Sequence, residues 1–399
     1  MKHRLEERIL EVEEAIVLGA ASGYAAPRLG RAARQCRSLD DLLGRSDADL
    51  CRLPGIGEKT LPHVRRIADI DLEREQARLD RLGLTVLVPG RPGWPPLMSE
   101  NISVPPLALY VRGDPAPLGE AAVAVVGTRK ASPIGLRVGE GLGFDLGRIP
   151  LTVVSGLAVG IDAAAHRGCL AGSGRTVAVL AHGLDRVHPG QNRKLADGIL
   201  DGGGALVSEY HPGVKPLAET FVPRNRIIAG LSLATVVVEG KEGSGARHTA
   251  RFAGDFDREV LAVPGSPLDD RSNLPNELIR TGATLCRGAY DVISVIGDWE
   301  IGSLREALAD RAAFLRRQAA DALRGLGPEA DRIVRILADE PLHIDGICRF
   351  TGIAAERVLN LLLQLEIEGI VEQLPGMRYM PIYNPPDPEP EEETLRRIT

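Results

Sequence analysis

VAVVGTRKASPIG, residues 123–135, runs from unbroken apolar residues into a glycine, two cations and a proline, and its reading decides the fold. Val123 to Val126 lacks polar alternation, the mark of a strand covered on both faces. Gly127 ends that strand and Pro133 suits the first turn of a helix. The same grammar recurs outward in AAVAVVG, LTVVSG, TVAVL, ALVSEY, LATVVVEG, EVLAVPG and ATLCRG. Segments between them, such as Ile134 to Leu146 and Ile161 to Leu170, are long enough for right-handed helical crossovers. Residues 121–298 are therefore predicted to form an α/β domain, a doubly wound parallel sheet with helices on both faces.

The flanks read differently. Residues 1–80 predict a small helical domain, with Leu5, Ile9, Val12 and Ile16 at helical spacing. Residues 81–120 are rich in Pro and Gly and read as an extended connector packed on the central domain. Residues 299–328 predict a helical linker. Over 329–383 a short helix, a turn, a helix from Ile344 to Phe350, the break Thr351-Gly352, a helix from Ala354 to Glu368 and IVEQLPGMRYM predict a winged-helix domain. The helix from Ala354 to Glu368 holds five Leu and three Glu but one Arg, which favours protein contact or packing over duplex reading. The Pro- and Glu-rich residues 384–399 read as a disordered acidic tail.

A chain of 399 residues is too long for one ordinary core, and 44% hydrophobic with 26% charged residues excludes global disorder. There is no apolar run of about 18 residues and no secretory leader, so a soluble cytoplasmic protein is expected, with no membrane partner. The five cysteines lie far apart without Cys/His clustering, which gives neither a disulfide framework nor a metal site. The net charge of −6 requires any polyanion to be met by a local basic face.

Such a face is legible where the strands end. Gly127, Thr128, Arg129 and Lys130 lie between a buried strand and a helix, where N–H groups and the helix dipole hold anions. VVSGLAVGIDAAAH repeats the arrangement with Ser155, Gly156, Gly160 and Asp162. From Gly127 to Lys194 there are nine Arg or Lys against four acids, a local net of +5. GLDRVHPGQNRKLAD adds Arg193 and Lys194 near a helix start. In FVPRNRIIAGLS, Pro223 can open a helix whose first turn carries Arg224, Asn225 and Arg226. Cations there oppose the macrodipole unless an anion lies nearby, either a ligand or a carboxylate such as Glu219. EGSGARHTARFAG offers a third loop-to-helix cradle with Gly243, Gly245 and Thr249. Neither GxGxxG nor GxxxxGK[ST] is present, which removes the usual support for dinucleotide binding or ATP hydrolysis. Asp162 and His166, at i and i+4, could form an acid–base couple or simply tie a helix end. Leu53-Pro54-Gly55-Ile56-Gly57-Glu58-Lys59 matches a helix-hairpin-helix turn, serving phosphate contact or packing.

VVGTRKASPIG, VVSGLAVGIDAAAHRG, GLDRVHPGQNRKLA, GGALVSEY, FVPRNRIIAGLS, VVVEGKEGSGARHTA, VLAVPGS and LIRTGA follow the order and spacing of the DNA-processing protein A family. The resemblance spans about Pro106 to Ile296, and the flanking helix-hairpin-helix (SAM-like) and winged-helix domains are similar to those of many members. It implies an extended Rossmann-like domain that binds single-stranded DNA without sequence preference, dimerises, and hands the strand to the recombinase RecA in natural transformation. It implies no enzymatic reaction, catalytic residue, cofactor or metal. The DNA-contacting positions it implies are Gly127, Thr128 and Arg129, the Gly156 to Asp162 loop, Lys194, Arg224, Asn225 and Arg226. The chain departs from the family pattern at Ala181-His182 and at Arg247-His248, which add bulk or charge to the expected groove. The alternative reading is a nucleotide-processing hydrolase of phosphoribohydrolase type on a related sheet, although EGSGARHTA lacks the carboxylate such enzymes carry in PGGxGTxxE.

Overall fold

The computed structural model describes residues 8–99, 102, 104–296, 323–337, 341–367, 370–374 and 376–381, in two compact units, Met1–Leu304 and Arg305–Thr399. The first unit opens with helices α1 (Val12–Ser22), α2 (Ala26–Arg34), α3 (Leu39–Leu43), α4 (Asp47–Leu50), α5 (Leu61–Arg65) and α6 (Leu72–Arg81). Helix α1 begins later than the spacing suggested: Ile9 precedes it and is 49% exposed, while Leu5 lies outside the described residues. Side-chain oxygens of Ser38, Ser46 and Asp71 accept from backbone N–H groups to cap α3, α4 and α6.

The Pro/Gly-rich connector does more than lie on its neighbour. It supplies β1 (Leu84–Leu87) and β2 (Leu109–Gly113), an antiparallel pair. Then follow β3 (Ala122–Val126), α7 (Pro133–Gly147), β4 (Thr152–Ser155), α8 (Ile161–Ala171), β5 (Thr176–Val179), α9 (Arg193–Asp201), β6 (Ala205–Ser208) and α10 (Ala218–Gly230). The unit continues through β7 (Ala234–Val237), α11 (Ala246–Asp255), β8 (Glu259–Ala262), α12 (Asn273–Arg280), β9 (Thr284–Leu285) and α13 (Ala289–Ile296).

All seven strands expected from the apolar runs are present, and β3 to β7 are buried along their whole length. They join one sheet in the order β1-β2-β6-β5-β4-β3-β7-β8-β9, parallel from β6 to β9, with β2 antiparallel to β6. The chain lays β4, β5 and β6 outward on one side of β3, then returns to place β7 on the other. That reversal opens a crevice at the carboxyl ends of the strands beside β3, where open α/β sheets bind ligands. Ile16 and Leu79 of the helical segment share a core with Tyr110, Leu184 and Leu206, so the helices and the sheet are packed as one body.

Helices α7 and α8 meet backbone to backbone. A Cβ added at Gly143 would overlap the Ala165 carbonyl, and one at Gly168 the Glu140 carbonyl. Only hydrogen side chains permit this approach, and it sets the amino ends of both helices side by side at the carboxyl edge of the sheet.

The second unit is a winged helix. Helix α14 (Pro328–Leu337), β10 (Leu342–His343), α15 (Ile344–Thr351) and α16 (Ala355–Ile367) precede the hairpin β11 (Val371–Leu374) and β12 (Arg378–Pro381). Gly352 closes α15 in the left-handed conformation at φ +71, as the Thr351-Gly352 break suggested. Ile333, Ile347, Val358, Leu361, Leu365 and Tyr379 form its core. Most of the expected linker (299–322), Glu368 and the acidic tail lie outside the described residues.

Gly168→Ala should lower stability by about 1–3 kcal/mol by wedging α7 from α8. The control is Gly141→Ala, on the exposed side of α7 with open space around it, which should raise stability by about 0.5–1 kcal/mol. Urea unfolding of both variants checks the pair, and an equal effect at the two positions would refute the close-contact account.

Candidate nucleic-acid interface

The first expected cradle is filled from within the chain. Beyond β3, the Thr128 N–H donates to the Glu239 carbonyl at 2.8 Å. Ser132 then donates its N–H at 2.9 Å and its hydroxyl at 2.5 Å to the two carboxylate oxygens of Glu239, and its Oγ accepts from Gly135 N–H at 2.8 Å. The amino end of α7 therefore already holds an anion, a carboxylate from the residue pair that follows β7. Glu239 was not read as a site residue, although VVVEG places a carboxylate at the same strand edge.

The second cradle is filled likewise. Asp162 Oδ2 accepts from Gly156 N–H at 3.2 Å and Ala158 N–H at 3.4 Å, so those amides are not left for a phosphate. Burial raises the Asp162 carboxyl above its ordinary range, opposed by the Arg224 guanidinium. The loop is tight: Ser155 and Gly156 are buried, Leu157 is held at φ +53, and Gly160 at φ +87 lies against the backbone of Thr128 and Arg129. A non-glycine residue in the left-handed region stores roughly 1–3 kcal/mol of strain, which the surrounding packing must hold in place.

Helix α10 differs most from expectation. It starts at Ala218, not Pro223, with the Thr220 hydroxyl donating to Leu217 O at 2.7 Å; Pro223 sits inside it. Arg224 is 4% exposed and donates to the carbonyls of Gly156 (2.9 Å) and Val179, tying the ends of β4 and β5. Burial brings its guanidinium down to about 10. The Asn225 amide donates to Gly245 O at 3.2 Å and so fastens the third glycine loop. Arg226, 6% exposed, donates to both Glu209 oxygens at 3.0 and 2.6 Å. The anion that Arg226 required is therefore Glu209, at the end of β6, and not Glu219. Thr249 is 2% exposed in α11.

What remains exposed is a row of cations. Arg129, Lys130, Arg193 and Lys194 are exposed and have no carboxylate partner among the described residues. The Arg129 guanidinium lies 4.6 Å from the Phe221 ring centroid. Arg193 and Lys194 open α9, where the dipole disfavours cations unless an anion joins them. Asn192 donates to Leu157 O at 2.9 Å, holding that helix start against the Gly156–Gly160 loop. Gly243 and Gly245 are exposed just before α11. The local charge count is partly dispersed: Arg148 follows α7 and Arg175 precedes β5, which puts both at the opposite, amino edge of the sheet, and Arg167, Arg175 and Arg186 pair with Glu140, Glu120 and Asp185.

Of the residues that departed from the family pattern, Ala181 and His182 are buried and Arg247 pairs with Glu277 at 2.6 Å, while His248 is exposed in the first turn of α11. The Asp162–His166 couple does not form; the His166 Nδ1 is 2.7 Å from Thr176 Oγ1, and burial pulls its ring down to about 3. In the helical segment, Gly55 adopts φ +87 in the turn between α4 and α5, with Leu53 and Ile56 in the core and Thr60 Oγ1 accepting from Gly57 N–H at 2.7 Å. Among the described residues no helix is long and apolar enough to cross a membrane.

Two outcomes follow from these partners. Arg226→Ala should cost about 3–5 kcal/mol because Glu209 is left buried and unpaired, while Arg129→Ala should stay within about 0.5 kcal/mol in urea unfolding. His166, neutral when folded, takes up a proton on unfolding between pH 6.5 and about 3, so stability should rise with pH across that window. His166→Gln should flatten this rise, and an unaltered slope between pH 5 and 6.5 would contradict the assignment.

The family model described as DNA recombination-mediator protein A matches residues 85–297, and the DprA winged helix domain model matches residues 317–377. Protein Smf of Synechocystis sp. is 36% identical over 317 residues, 73% of this chain and 79% of that protein. The DNA processing protein DprA of Streptococcus pneumoniae is 43% identical over 189 residues, 47% of this chain and 66% of that one. The X-ray structure of DNA processing protein A from Streptococcus pneumoniae superposes with a TM-score of 0.61 at 31% identity, over 72% of this chain and 98% of that chain. With the doubly wound sheet and the winged helix both matched, this chain belongs to the DNA recombination-mediator protein A family.

Proposed function

We propose that the chain binds single-stranded DNA without regard to sequence along the carboxyl edge of its sheet, and that in the cytoplasm it acts as a homodimer that passes the strand to RecA during natural transformation. The observation that carries this reading is the row of Arg129, Lys130, Arg193 and Lys194, exposed and without an ion-pair partner among the described residues, beside a floor in which Glu239, Asp162 and Arg224 are each bonded within the chain. The carboxylates of that floor are already engaged, so the exposed cations are left for phosphates. Each phosphate neutralised releases counterions, a gain independent of base identity. Gly127, Thr128, Ser155, Gly156, Gly160 and Asp162 shape that floor, Arg224, Asn225 and Arg226 brace it, and Gly243, Gly245 and Thr249 continue it beside α11. Phe221 already carries the Arg129 guanidinium at 4.6 Å and has that of Arg224 at 5.9 Å, so it positions cations and base stacking is a minor contribution beside electrostatics.

The role is binding, without catalysis, cofactor or metal. Asp162 and His166 are buried and bonded to separate partners, which supports this against a hydrolase. In the winged helix, Leu359, Leu363 and Ile367 are exposed at four-residue intervals on α16, a face suited to a protein partner.

Fluorescence anisotropy with a labelled oligothymidine tests the reading. Affinity should fall steeply between about 50 and 200 mM salt and be nearly equal for a mixed sequence. Arg129→Ala with Lys194→Ala should weaken binding about tenfold or more and reduce the logarithmic salt slope by about 1.4. RecA should assemble faster on the strand in the presence of the protein. Salt-independent binding, or release of free base from nucleoside monophosphates, would overturn the proposal in favour of the hydrolase.

A further inference from the structure

On the other side of α10 from Arg129 lies a cleft of about 710 Å³, walled by the helix-hairpin-helix turn and by the first turns of α10. Ligand sites commonly enclose about 300–1,000 Å³, so one or two nucleotides fit. Its helical wall is cationic, and the first turn of α10 adds one exposed carboxylate, Glu219, to the facing wall. Arg28 and Lys59 are exposed, line the cleft and have no carboxylate partner among the described residues. Gly55, at φ +87, brings the turn onto the Arg28 side-chain stem, so the turn and this guanidinium form one surface. Aromatic faces complete it: Tyr24, 46% exposed, meets Tyr210 edge to face at 6.2 Å, and Phe252 lines the opposite wall. Cations beside open rings suit phosphates joined to bases, and not an apolar ligand.

Helix α10 is the partition between this cleft and the strand-edge row. Phe221 carries Arg129 on one side, while Thr220 and Pro223 face the cleft on the other. Leu217 and Val222, at 42% and 38% exposure, crown the partition with apolar surface that bases can cross.

Building on the proposed binding of single-stranded DNA at the strand edge, we propose that the same strand continues over the amino end of α10 into this cleft, where Arg28, Lys59 and the helix-hairpin-helix turn take its phosphates and Tyr24 takes a base. The protein then has two contiguous segments of one binding path, and the affinity gained with oligonucleotide length comes from the second.

Anisotropy of the full chain with oligothymidines of about six and about twenty nucleotides tests this. Arg28→Glu with Lys59→Glu should weaken the long oligomer about tenfold, lower its salt slope by about 1.4, and leave the short one within about twofold. Arg28→Lys with Lys59→Arg should restore the long-oligomer affinity, and Arg28→Ala with Lys59→Ala replaces the reversed pair if thermal unfolding shows that it no longer folds. Arg129→Ala with Lys194→Ala should weaken both lengths, which marks the strand edge separately. If wild type binds both lengths and the cleft variants leave the long oligomer unchanged, the continuation is wrong. It is equally wrong if those variants weaken only duplex DNA, or both lengths alike. If wild type binds neither length, the strand-edge reading fails and the continuation fails with it.

Discussion

A guanidinium kept away from water, that of Arg224, must find acceptors inside the protein, and the acceptors available are the carbonyls of Gly156 and Val179 at the ends of β4 and β5. In a parallel sheet the last carbonyls of each strand have no neighbour beyond them, and leaving them dry is costly. Arg224 satisfies two of them at once. Asp162 and Glu239 do the complementary task for the amides of the loops that follow β4 and β3. These bonds between the loops and the strand ends set the shape of the crevice beside β3.

Those bonds explain why charge is sorted as it is. Arg226 and Glu209 neutralise each other beneath the surface, with Asn225 holding the loop before α11. The cations with no such partner among the described residues are exposed, two on the turn after β3 and two at the start of α9. Asn192 and Gly160 fix how near those two pairs come to each other. A polyanion meeting this edge needs to rearrange little of the protein, so little of the interaction free energy is lost in ordering it.

The glycines of α7 and α8 carry the other half of the design. Their contact brings the two helix starts, and hence the loops holding Arg129 and Gly156, into one crevice. Strain at Leu157 and the left-handed Gly160 persist because the helices behind them cannot withdraw.

Much of this was legible in the chain. The strands of the central sheet show because burial on both faces leaves an unbroken apolar run, and the turn at Gly127 with Arg129 beside it shows because a glycine ends that run before a helix start. β1 and β2 did not show, because the Pro- and Gly-rich text around them masks two short strands that pair with each other and with β6. Counting charge along the chain misplaced Arg148 and Arg175, since each crossover returns the chain to the far edge of the sheet. The sequence alone determined the order of the elements from β3 to β9, the doubly wound class of their sheet and which cations exist, because these depend on local periodicity and turn chemistry. Tertiary structure decided which cations face solvent and which are spent on Glu209 or on strand-end carbonyls, because those partners lie 17 to 68 residues away and meet only once the sheet has closed.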